Sequence, residues 1–74
     1  MNKNLLVSKM KLHGDTNADL AFAIGISSQR FSAKLNEYHG AEFNQGEIMK
    51  IRERYSLTDE EVVPIFSPET ILIR

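Results

Sequence analysis

Ten consecutive residues, Ser27 to Asn36, carry several groups able to read hydrogen-bonding edges. Gln29 can donate and accept at once, the pairing that the major-groove edge of adenine requires. Arg30 offers a two-pronged donor, suited to guanine or to a phosphate, and Ala33 presents only a methyl, suited to packing on thymine. On a helical wheel of about 100° per residue with Phe31 at the origin, Leu35 falls at about 40° and Ser28 at about 60°. The side turned away from that apolar pair carries Gln29, Ala33 and Asn36, with Arg30 on its flank. Alone, such residues ordinarily make a solvated helix face. Their meaning depends on the elements that hold them.

Those elements are legible from Asn17 onward. A pair of helices crossing steeply over a tight turn needs a small residue at the crossing, and Ala21 supplies it. It needs a residue tolerant of positive φ in the turn, which is Gly25. Ile24 and Ile26 flank that glycine to plug the corner, with Leu20 four residues before Ile24. The second helix needs a cap and an inward apolar pair, supplied by Ser27 and by Phe31 with Leu35.

Capping chemistry marks three helix starts. Thr16 precedes Asp19 by three residues, Asn44 precedes Glu47, and Thr58 precedes Glu61. The latter two pairs are flanked by Phe43 with Ile48 and by Leu57 with Val62, placed as hydrophobic staples. The expected architecture is all-α, with five helices over about 3–13, 17–24, 28–37, 45–55 and 59–66. Gly14 fits the position just past the first helix, where a left-handed residue is preferred. Leu6 and Met10 give that helix an inward pair, and Ile48, Ile51 and Tyr55 do the same for the fourth. Pro64 removes one backbone bond, so the last helix is expected to be short, kinked or partly irregular. Residues 1–66 read as one domain and 67–74 as an extended C-terminal tail.

The segment Asn17–Asn36 resembles the DNA-binding domains of the lambda-repressor-like family, the Cro and repressor type. In that family the unit forms the second and third of about five helices, as it does here. The brevity of the chain and the Phe31-to-Asn36 ending of the third helix look most like small phage-encoded lysogeny-switch regulators, Cro-like proteins and modulators of repression. The resemblance implies a third helix lying in the major groove and a DNA contact set of Asn17, Ser27, Ser28, Gln29, Arg30, Ser32, Ala33, Lys34 and Asn36. Asn17 stands where the family usually has a phosphate-touching glutamine. Lys34 departs from the pattern, standing where an apolar residue is commoner, with Leu35 serving instead. Lys11 is a further candidate for phosphate, although a solvated position suits it as well.

Charge distribution limits what one copy can do. The net charge is −1, yet residues 1–36 hold five cations (Lys3, Lys9, Lys11, Arg30, Lys34) against two acids (Asp15, Asp19). Residues 37–74 hold four cations against eight acids. Any phosphate contact belongs on the basic half. Three or four cations per subunit are few for tight binding, so operator DNA is expected to be read by a homodimer or in complex with a phage repressor protein.

Two features point to protein contact. Phe22 lies one step beyond Ala21, where the resembled domains carry a polar residue. It either folds onto the first helix or Tyr38, or belongs to an exposed apolar contact surface. Ile71, Leu72 and Ile73 form an apolar run that either packs back on its own core, pairs with a second copy or docks on a different repressor.

Other chemistry is weakly supplied. There is no cysteine, and His13 and His39 stand far apart, too few for a zinc site. Asp59-Glu60-Glu61 is read as a helix first turn, where acids belong. Neither a Gly-rich phosphate loop nor a nucleophile with a matching base is present. The expectation is a non-enzymatic protein without cofactor or small-molecule substrate. No apolar run approaches the roughly 20 residues of a membrane span, and the start lacks the apolar stretch of a secretory signal, so a soluble cytoplasmic protein is expected.

Overall fold

Helix-start chemistry governs the architecture of the computed structural model, which describes residues 1–66. Its elements are α1 (Lys3–Leu12), α2 (Asn17–Ile24), α3 (Ser28–Leu35), α4 (Gln45–Tyr55) and α5 (Asp59–Phe66), with a 3-10 turn at Tyr38–Gly40. No strand occurs among the described residues. The apolar run Ile71, Leu72 and Ile73 lies outside them.

Thr16 and Asp19 form a reciprocal box. The Asp19 N–H donates to Thr16 Oγ1 at 3.2 Å and the Thr16 N–H to Asp19 Oδ2 at 2.9 Å. Asn44 and Glu47 do the same at 2.8 and 3.0 Å. At α5 the Thr58 N–H donates to Glu61 Oε1 at 3.0 Å, while the Glu61 N–H bonds to the Thr58 carbonyl. A further cap, which residue spacing did not reveal, opens α1: Asn2 Oδ1 accepts from the Leu5 N–H at 3.2 Å.

Three helices end alike. After α1 the Asp15 N–H returns to the Met10 carbonyl and the Gly14 N–H to Lys11; after α2 Ile26 returns to Ala21 and Gly25 to Phe22. The pattern needs a left-handed residue at its centre, and Gly25 (φ +84°) provides it without strain. After α4 the same two bonds form around Ser56 at φ +52°, a conformation that costs a residue with a Cβ.

The expected third helix, 28–37, ends two residues early. Glu37 turns left-handed (φ +53°), so Asn36 becomes the last half-helical residue, its N–H still bonded to the Ser32 carbonyl. The first helix likewise stops at Leu12, with His13 as its cap. Pro64 stays inside α5, whose eight residues forgo the one backbone bond its ring nitrogen cannot donate.

Each helix sends its apolar stripe to one core. Leu6 and Met10 come from α1, Leu20, Ala21 and Ile24 from α2, Phe31 and Leu35 from α3, Ile51 and Tyr55 from α4, and Ile65 from α5. Phe43 bridges Phe31 and Phe66, with ring centroids 5.5 and 6.2 Å away. Each fully buried large side chain contributes about 1.5–3 kcal/mol relative to exposure.

Polar ties close the periphery. Asp15, between α1 and α2, accepts a two-pronged bond from Arg54 and a 2.6 Å bond from the Tyr55 hydroxyl, while the His13 ring stacks on Tyr55 at 4.6 Å. Lys9 pairs with Glu61 and Arg52 with Asp59. No helix of the described residues is long and apolar enough to cross a membrane.

Candidate nucleic-acid interface

The turn Gly25–Ser27 delivers α3 with its apolar edge inward. Phe31 is fully buried and Leu35 nearly so, which rotates Ser28, Gln29, Arg30 and Asn36 to the surface. Ser32 and Ala33 are half-buried beside them. The Ser27 hydroxyl oxygen accepts the Arg30 N–H at 3.1 Å, so its first task is to cap the helix.

Gln29, Arg30, Ser32, Ala33 and Asn36 line one open recess together with Tyr38, from the turn that follows α3. Nothing in residue spacing marks Tyr38 for this position, because it depends on the left-handed turn at Glu37.

Asn36 is the hub at the far end of α3. Its Nδ2 donates to the Ser32 carbonyl at 2.9 Å and lies 3.4 Å from the Ser32 hydroxyl. The Lys3 ammonium donates to its Oδ1. Lys3 thus joins the end of α3 from 33 residues away, a placement that only the fold reveals.

Lys34 departs most from expectation. Instead of turning outward it reaches Glu47 on α4, with Nζ 2.6 and 2.8 Å from the two carboxylate oxygens. Its side chain is 13% exposed and that of Glu47 10%. Burial pushes the Glu47 carboxyl up, but the Lys34 hydrogen bonds, the Asn44 backbone N–H and the nearby charge of Arg30 outweigh it, and the net displacement is downward. Lys34 therefore cross-braces α3 and is removed from the phosphate-contact set.

Ion pairing sorts the remaining cations. Lys9, Arg52 and Arg54 each meet a carboxylate, whereas Lys3, Lys11, Arg30 and Lys50 take part in no ion pair among the described residues. Lys50 reaches from α4 toward the turn: a Cβ on Gly25 would lie 3.8 Å from its Nζ. At the start of α2, Asn17 is exposed, and its backbone N–H belongs to the first turn, where helices leave donors open. Asp19, whose charge opposes an anion there, is engaged in the capping box.

Phe22 stands fully outward on α2, 88% exposed. Of the two placements open to it, packing onto α1 or Tyr38 does not occur. Among the described residues no group of three or more His, Asp or Glu side chains gathers as a metal site. No protein family, curated protein or solved structure matches the chain.

Proposed function

We propose that the chain is a sequence-specific DNA-binding regulator of the lambda-repressor-like type, working in the cytoplasm at a phage lysogeny switch with α3 in the major groove. The observation that carries this reading is the division of α3 into two faces. Phe31 and Leu35 anchor it and Lys34 braces it, while Gln29, Arg30, Ala33 and Asn36 stand together on the side open to solvent.

In this reading Gln29 bonds adenine and Arg30 bonds guanine or a neighbouring phosphate, each good bidentate pair giving about 1–3 kcal/mol of discrimination. Lys3, Lys11 and Lys50 supply charge without sequence information. So few cations make one subunit a weak binder, and a two-fold dimer reading half-sites about 34 Å apart supplies the missing affinity. Enrichment from a randomised duplex pool tests the reading. The wild-type chain selects a defined sequence; Gln29→Ala with Arg30→Ala abolishes selection while the thermal melt stays unchanged. Selection that survives the double change removes α3 as the reading element.

A second reading keeps the fold but makes its main act the gripping of a phage repressor. The exposure of Phe22 favours it, since an outward aromatic offers a large apolar contact to a partner.

A further inference from the structure

The recess on α3 presents more apolar than polar surface. Ala33, half-buried, brings a methyl to it, and Tyr38, 65% exposed, lines it beside Gln29, Arg30, Ser32 and Asn36. The Tyr38 ring meets that of His39 edge to face at a centroid distance of 4.0 Å. Glu37 and His39 both sit in the left-handed region at φ +53°, so the backbone on either side of Tyr38 is bent in the same sense. An exposed aromatic is thereby presented beside the helix that carries Gln29 and Arg30.

An apolar recess on a face turned toward the major groove has one chemical counterpart there. Base edges in that groove offer donors, acceptors and a single projecting apolar group, the 5-methyl of thymine. The Tyr38 ring face and the Ala33 methyl offer a phosphate no donor, so that part of the recess suits an apolar group, while donors are left to the neighbouring Gln29 and Arg30.

We infer that Tyr38 is a specificity-determining residue, its ring and the Ala33 methyl together receiving a thymine 5-methyl group. The inference rests on the proposed placement of α3 in the major groove. It adds a reading element contributed by the turn after the helix rather than by the helix itself. The ring does this work, so the hydroxyl is dispensable.

Duplexes enriched by the full-length wild-type chain are the probe, each compared with versions in which one thymine is replaced by deoxyuridine, which lacks the methyl. At one thymine per half-site the replacement weakens wild-type binding on the order of fourfold, the scale expected for burying one methyl. Tyr38→Phe keeps that thymine preference. Tyr38→Ala and Tyr38→Gln bind the thymine duplex less well and lose the preference. A thymine preference undiminished in both Tyr38→Ala and Tyr38→Gln, or absent at every position in the wild type, overturns the inference and leaves the reading of α3 standing. Failure of the wild type to enrich any sequence overturns both.

Discussion

Asp15 meets Arg54 across 39 residues of chain in a two-pronged ion pair, Nε to Oδ2 at 2.7 Å and Nη2 to Oδ1 at 2.9 Å. The Tyr55 hydroxyl closes on the same carboxylate, so the loop joining α1 to α2 is fastened to α4 at a single residue.

That fastening is sensitive to acid. The Arg54 hydrogen bonds, followed by the Tyr55 hydroxyl, lower the Asp15 carboxyl from 3.8 to about 2. A depressed carboxylate contributes stability that is full above its unfolded value and is lost as pH falls through its folded value. Wild-type stability should therefore fall between about pH 4 and pH 2. Asp15→Asn should flatten that fall and cost about 1–2 kcal/mol at neutral pH, a moderate figure because the Arg54 side chain is 39% exposed. Urea titrations across this pH range measure both, and an unchanged acid slope in Asp15→Asn removes the assignment.

Lys34 and Glu47 should show strong coupling. Lys34→Ala strands a carboxylate that is 10% exposed and should destabilise by about 2–3 kcal/mol. Lys34→Met combined with Glu47→Gln should recover most of this, because the glutamine carbonyl can still accept the Asn44 N–H. A double-mutant cycle by chemical denaturation gives the coupling energy, and additive losses would show the pair to be unimportant.

Under the proposed function, the salt dependence of duplex binding should separate the two basic residues of α3. Arg30→Ala should lower the slope of log K against log salt by about one per subunit, the signature of one phosphate lost. Lys34→Leu should leave the slope unchanged even if it weakens binding. Equal changes for both would restore Lys34 to the phosphate-contacting set.

Two left-handed turns predict opposite outcomes. Ser56→Gly should stabilise the chain, by up to about 1 kcal/mol, because it relieves a Cβ at φ +52°. Gly25→Ala should cost about 1–2 kcal/mol through φ alone, since the added Cβ meets nothing nearer than the Lys50 ammonium at 3.8 Å. Thermal melts decide both signs.

Phe22→Gln should leave stability within about 0.5 kcal/mol, as expected for a residue 88% exposed. The same change should reduce self-association in sedimentation or binding to a partner repressor. Unaltered association in both assays would make Phe22 a bystander.

Local rules carried the reading of the residues a long way. Both complete capping boxes lie where Thr16 with Asp19 and Asn44 with Glu47 place them, and Gly14 and Gly25 follow the helices they were expected to end. Phe31 and Leu35 turn inward, as their spacing requires. Local rules failed where a residue's fate depends on a distant partner. Lys34 looks like a surface cation until α4 brings Glu47 beneath it, and Lys3 has no local reason to meet Asn36. The early end of α3 depends on Glu37 accepting a left-handed backbone, which no pattern of apolar residues encodes. Tyr38 reaches the recess through that same turn.

The cross-brace under α3 also bears on the thermodynamics of recognition. Ser27 holds the start of that helix, Lys34 its last turn and the Lys3–Asn36–Ser32 chain its C-cap. A helix immobilised at three points has given up its orientational freedom on folding, so docking need not order it again. Under the proposed function, docking on a duplex should then draw its entropy change chiefly from released water and counterions.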